Sequence, residues 1–195
     1  MRHSVVERDT KETSISLTLT LDDECGAFVG SSGIGFLDHM LTILAVHGKM
    51  GIKLSMKGDL HIDTHHSVED LGLVLGEAMA LALGKKLGIA RYGTFYCPMD
   101  EALVRTVIDF SGRPYLVYNV PLTVERVGAF ETEMLREFLY AFSVKSGCNL
   151  HVTALYGTNN HHIIEGVFKS LAHAIKAAVS ISSNGNDVLS TKGVL

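Results

Sequence analysis

Apolar and polar residues alternate strictly over residues 13–21 (TSISLTLTL), which predicts a strand with one buried face. The period becomes helical over residues 36–50 (FLDHMLTILAVHGKM), with Gly48 and Gly51 near the stop. A short strand follows at 52–56 (IKLSM), then a long helical stripe at 64–87, with Thr64 as N-cap and Gly88 as stop. Residues 94–110 and 115–120 alternate like strands around the turn SGRP. Helical spacing returns at 131–146 and 160–181, on either side of a strand at 149–155 (NLHVTAL). The segment ECGAFVGSSG (24–33) is placed by neither period.

The pattern is written twice. Segments 51–66 (GIKLSMKGDLHIDTHH) and 147–162 (GCNLHVTALYGTNNHH) are both 16 residues long and end in the same His pair. Each continues as H-H-x-x-E into an apolar helical stripe, and from His66 to His162 is 96 residues, about half the chain. A repeat of that period predicts two equivalent half-repeats, 1–90 and 91–195, packed together as one unit. The predicted class is α/β, an α+β sandwich of duplicated β-β-α-β-α halves about a pseudo-twofold axis.

Composition narrows the function. A chain of 195 residues builds one core, or two small ones, without a disulfide or metal staple. Lys and Arg number 17 against 21 Asp and Glu, so the net charge of −4 lacks the basic footprint of a nucleic-acid binder. With 47% hydrophobic and 19% charged residues, disorder is excluded. Cys25, Cys97 and Cys148 are odd in number and far apart, which fits free thiols in a reducing compartment. No apolar stretch approaches the roughly 18 residues of a spanning helix, and the first residues carry no signal-peptide core, so no membrane role and a soluble, cytoplasmic protein are expected.

Ten histidines outnumber the eight Phe and six Tyr, and point to metal chemistry. His65, His66 and Glu69 open one predicted helix, and His161, His162 and Glu165 open its copy. At i,i+3 and i,i+4 the carboxylate shares a face with either imidazole. Adjacent histidines diverge by about 100° around a helix, so each pair suits two different ions rather than one. Imidazole with carboxylate fits Mn, Fe, Ni or Zn. A single H-H-x-x-E is commonly just an acidic helix start; two copies in repeat register favour ligation. His39 (in FLDHML) and His151 (in NLHV) are further candidates, His47 and His61 are evenly balanced, and His3 and His173 have no evident task. Leu135 stands where His39 would repeat, and Ser55 aligns with His151, so the halves contribute unequally.

The stretches GFLDHML (35–41), DTHHSVEDLGLVLGEA (63–78), RYG (91–93), MDEAL (99–103), DFSGRPYL (109–116), NNHHIIEGVFKSLAHAI (159–175) and STKGVL (190–195) together resemble the imidazoleglycerol-phosphate dehydratase family of histidine biosynthesis. The resemblance implies a lyase that dehydrates imidazole glycerol phosphate to imidazole acetol phosphate. It implies two Mn²⁺ ions per active site, a metal-bound imidazolate and a diazafulvene-like intermediate. It maps metal ligands onto His39, His65, His66, Glu69, His151, His161, His162 and Glu165. It maps catalytic roles onto Glu12, His47, Glu69 and Glu165, and substrate or phosphate contacts onto Glu12, Arg91, Arg113, Ser190 and Lys192. It also implies a fold like ribosomal protein S5 domain 2, and a homo-oligomer, a 24-mer built from trimers with sites between subunits. The competing readings are another metal-dependent enzyme on the same scaffold and a non-catalytic metal-assembled shell. No HExxH, GxSxG or P-loop supports a specific alternative.

Overall fold

Strands β1 (His3–Asp9) and β2 (Thr13–Thr20) form an antiparallel hairpin that turns Val6, Ile15, Leu17 and Leu19 inward. In this computed structural model the structure describes residues 2–181, 187–193 and 195. The chain continues through β3 (Ala27–Ser31), α1 (Gly35–Gly48), β4 (Gly51–Gly58) and α2 (His65–Leu83). The second half runs β5 (Tyr92–Met99), β6 (Ala102–Asp109), β7 (Tyr115–Asn119), a small hairpin β8 (Arg126–Val127) and β9 (Phe130–Glu131), α3 (Met134–Ser146), β10 (Asn149–Tyr156) and α4 (Asn160–Val179). No helix among the described residues is long and apolar enough to cross a membrane.

The two main sheets share one topology. Their orders are β1-β2-β4-β3 and β5-β6-β10-β7. In each, the third strand runs parallel to the strand that follows the helix: β3 beside β4 through α1, and β7 beside β10 through α3. These are β-α-β crossovers, which parallel pairing requires. The class is mixed α/β as expected, but the first half is β-β-β-α-β-α, one strand longer than the expected β-β-α-β-α, and the second half has the same order with the β8–β9 hairpin added before α3. The strands that the periodicity did not mark are the edges β1 and β3, and the single stretch 94–110 is the hairpin β5–β6, whereas 115–120 is the strand β7 as expected. All of β3 except Phe28 is exposed, so it has no apolar alternation to read. The SGRP segment is not a hairpin turn either: β10 lies between β6 and β7, and the chain reaches β7 as an outer strand.

The helices are shared across the halves: α2 packs on α3 and α1 on α4, while each also covers its own sheet. The core therefore lies between two outer sheets, with Leu37, Leu41, Leu71, Phe138 and Phe168 fully buried. Each such side chain contributes roughly 1.5–3 kcal/mol by leaving water. Gly72 and Gly76 let α2 approach α3. A Cβ on either would stand 2.7 or 2.6 Å from a backbone oxygen of α3.

Helices α1 and α4 each stop two residues before the predicted end, and two other ends shift further. Helix α2 stops at Leu83, not 87, because Gly84 turns to φ +52°. Helix α3 starts at Met134, not 131, because β8–β9 occupies the residues before it. The free cysteines are divided, with Cys25 exposed and Cys97 and Cys148 buried.

Candidate active site

The cap of α4 sets its His pair. The Asn159 side chain accepts from the backbone N–H groups of His161 and His162, which fixes the first helical turn. On α2, Thr64 occupies the N-cap position but its hydroxyl donates to Glu131 of β9; Asp63 instead accepts from the His65 N–H at 2.8 Å. Phe130 of the same hairpin packs on Phe36, whose ring lies edge-on to His161 at 5.0 Å. The β8–β9 hairpin thus ties the two histidine-bearing helix starts to one end of the molecule.

Three predicted ligands converge there. His161 Nε2 lies 3.2 Å from Glu165 Oε2, one helical turn on, and His39 Nε2 reaches the same oxygen from α1 at 3.7 Å. One ligand atom from each lies within 4.8 Å of the others. Two imidazoles and a carboxylate with open sides are the donor set of a hard or borderline divalent ion. Burial works against the Glu165 charge, but Lys169 at 2.6 Å, then His161 and His39, outweigh it and hold the carboxyl below its ordinary value.

The first-half cluster is smaller. His65 Nε2 lies 3.4 Å from Glu69 Oε2 at i,i+4 spacing. The other member of each pair is turned toward a carboxylate. His66 Nδ1 donates to Asp59 at 3.0 Å, and His162 Nδ1 donates to Glu101 at 2.8 Å. Those hydrogen bonds raise both histidines above their ordinary value and lower both carboxyls, Glu101 to about 2. An ionised carboxylate can only accept, so Nδ1 carries the hydrogen and Nε2 keeps the lone pair a metal needs. The sequence reasoning missed Asp59 and Glu101 as anchors; DLHID and MDEAL contain them, but Asp59 precedes α2 and Glu101 is 61 residues from His162, so neither shares a helix with its histidine.

Glu12 sits in the β1–β2 turn, exposed, 3.8 Å from His66 Nε2. It lines a cavity of about 320 Å³ with Thr10, Lys57, Asp59 and His61. His47, near the end of α1, is paired not with a carboxylate but with His173 of α4, at 3.3 Å between Nδ1 and Nε2. Burial, then Lys169, lowers His47 below its ordinary value; burial, then His47, lowers His173.

Two groups stand apart from these clusters. His151 is exposed on β10 between the inward Leu150 and Val152, on the sheet face away from the helices. The proposed anion contacts gather at the other end of α4. Arg91 is buried; its guanidinium holds both oxygens of Asp109, at 2.7 and 3.1 Å, and the carbonyl of Leu189. That last bond brings the segment carrying Ser190 and Lys192 beside it, where the Ser190 hydroxyl accepts from the Lys192 N–H. Arg113 lies in the loop next to Gly112, where the Leu195 backbone and the Lys86 ammonium also come close. Arg91 N–H bonds Ala178 of α4, about 20 Å from Glu165 at 1.5 Å rise per residue.

Comparison with known proteins gives the family. The family model of imidazoleglycerol-phosphate dehydratase covers residues 32–175. Over the full length of both chains, the protein is 55% identical to the imidazoleglycerol-phosphate dehydratase of Heliobacterium modesticaldum and 51% to that of Thermoanaerobacter pseudethanolicus. The crystal structure of the Staphylococcus aureus enzyme superposes with a TM-score of 0.83 at 34% identity, over 92% of this chain and 99% of that one. A Pyrococcus furiosus structure, described as a complex with (S)-C348, superposes with a TM-score of 0.80 at 34% identity, over 97% and 100%. With its fold and its sequence in agreement, the chain belongs to the imidazoleglycerol-phosphate dehydratase family.

Proposed function

We propose that the chain removes water from imidazole glycerol phosphate to give imidazole acetol phosphate, the lyase step of histidine biosynthesis, in the cytoplasm, with two Mn²⁺ ions per active site. The observation that carries this reading is the convergence of His39, His161 and Glu165 in a member of this family. The donor chemistry fits the ion: imidazole nitrogens and carboxylate oxygens, with no thiolate. His39, His161 and Glu165 would hold one ion. His65 and Glu69 would contribute to the second, with His66 and His162 offering their Nε2 atoms and His151 supplied from another copy of the chain. A bound divalent ion supplies Lewis-acid chemistry, lowering the pKa of the substrate's ring N–H.

The chain's own residues then handle protons. Dehydration of the vicinal diol removes hydroxide from the carbon beside the ring and a proton from its neighbour; the resulting enol becomes the ketone by proton transfer. One group must protonate the departing hydroxyl and another must take the carbon proton. Glu12, exposed beside His66, and His47, whose neutral form burial favours, are suited to these tasks. Glu69 and Glu165 orient the imidazoles at their own helix faces. Arg113 and Lys192 offer cations to the phosphate, with Ser190 as hydroxyl donor. Arg91 orders that region by binding Asp109 and the Leu189 carbonyl.

Within one chain the ligand cluster and the anion contacts are separated by most of the length of α4, about 20 Å, which is farther than the substrate reaches. This supports a site completed between copies, in a homo-oligomer such as a 24-mer built from trimers, to which the halves 1–90 and 91–195 contribute unequally. The test is turnover of imidazole glycerol phosphate by chelator-treated protein, with and without added Mn²⁺, alongside the metal count. Activity restored by Mn²⁺ is expected. A protein that holds two ions per chain and leaves this substrate intact overturns the reading.

A further inference from the structure

His47 and His173 lie in opposite halves of the chain, 126 residues apart, and meet where α1, α4 and β5 come together. The His173 ring is stacked on Phe95 of β5, with centroids 4.1 Å apart and planes only 18° from parallel. That covers one face of the imidazole. Its edge meets His47, at 5.3 Å between centroids and 63° between planes, with Nε2 of His173 3.3 Å from Nδ1 of His47. Glu165, Lys169 and His173 follow one another at i,i+4 intervals down a single face of α4. His39 and His47, eight residues apart, lie along the facing side of α1. The row thus leads from the ligand cluster to His47, about 12 Å along the axis at 1.5 Å per residue.

We propose that His173 is a positioning residue for the reaction: its Nε2 engages Nδ1 of His47, fixing that ring so that its other nitrogen, Nε2, faces the side-chain arm of the substrate. The inference rests on the dehydratase reading above. Burial favours the neutral form of both rings, and between two neutral rings a single N–H forms the bridge, so the tautomer of each ring fixes that of the other. His47 stands in the last turn of α1, immediately before Gly48 and the left-handed Lys49, where the helix contributes little to hold a ring. The Phe95 stack restrains His173, and the bridge passes that restraint on to His47. A side chain acting through another in this way changes the geometry of attack rather than the contacts that bind substrate.

Two variants separate positioning from packing. His173→Phe keeps a flat ring on Phe95 and removes the nitrogen. His173→Gln returns a polar atom near the place of Nε2. The assembled, Mn²⁺-loaded protein should show kcat lower by about tenfold in H173F with KM within about twofold, a loss typical of a displaced group. H173Q should recover most of that loss, and metal content should be equal in all three proteins. A crystal structure of H173F should find the His47 ring turned from its present place. The inference is overturned if kcat in H173F stays within about twofold of the parent, if Gln is no better than Phe, or if the His47 ring does not move. Should the parent itself leave imidazole glycerol phosphate untouched, the dehydratase reading fails visibly and separately, and the crystal structure still judges the bridge.

Discussion

His39 and Glu165 stand 3.7 Å apart across the α1–α4 contact, although one belongs to each half of the chain. The contact exists because α1 and α4 pack side by side with their N-termini at the same end. His39→Ala removes one of three converging ligands at a half-exposed position, so the fold should be unaffected, within about 0.5 kcal/mol. Bound metal per chain, measured by elemental analysis, should fall, and turnover should drop by about 10²-fold or more, at least the effect of losing an outer-shell partner. Full metal content in H39A would remove His39 from the ligand set.

Glu101 and Asp59 should matter through the histidines they hold. Glu101→Gln exchanges the carboxylate that accepts from His162 for an amide, and weakens the acceptor for the Thr158 and Asn159 N–H groups. Metal affinity should fall by about 10- to 100-fold while Tm changes little. Titration of the metal-free protein with Mn²⁺ measures this directly.

The pH dependence of metal binding has a definite sign. His66 and His162 are raised above 6.5 by Asp59 and Glu101. In the metal-free protein the stabilisation from these protonated pairs is fully present below the unfolded value and is lost as pH rises through the raised one. A metal needs the neutral ring, so its affinity should rise with pH across that same interval, with protons released on binding. In Glu101→Gln the His162 contribution to that rise should move to lower pH. An affinity independent of pH between about 6 and 8 would contradict the assignment.

Arg91 and Arg113 should separate stability from substrate affinity. Arg91 is buried against Asp109 and the Leu189 carbonyl, so Arg91→Ala leaves a partly buried carboxylate alone and should cost about 2–3 kcal/mol. That corresponds to a Tm lower by about 4–12 °C in thermal melts. Arg113→Ala removes an exposed guanidinium and should raise KM for the phosphorylated substrate with Tm nearly unchanged.

The α2–α3 contact depends on two missing side chains. Gly76→Ala would put a Cβ 2.6 Å from the Phe142 carbonyl and 2.8 Å from Lys145 Cβ. Overpacking of about 1–3 kcal/mol should exceed the gain of about 1 kcal/mol in helix propensity. Calorimetry should find a lower Tm, and the same substitution at Gly72 should act in the same direction.

Much of this protein is legible without coordinates. The alternation at 13–21, the helical stripes after each His pair and the repeat from His66 to His162 mark the strands and helices that bury one face. The motifs carry the family likeness along nearly the whole chain. A periodic pattern reports that a face is buried, but not against which partner. Strand β3 buries almost nothing and left no pattern, and β7 could not be seen to lie beyond β10 because the crossover through α3 decides that order. Only tertiary packing joins His39 to the second His pair, turns His151 to the opposite face of its sheet, aims Asp59 and Glu101 at the ring nitrogens, and sets His173 against His47. The sequence by itself determined the four helices and the strands β2, β4, β7 and β10, because local spacing controls which face each one buries. The tertiary structure decided the site, because its geometry arises where α1 and α4, far apart along the chain, are pressed together by the shared core.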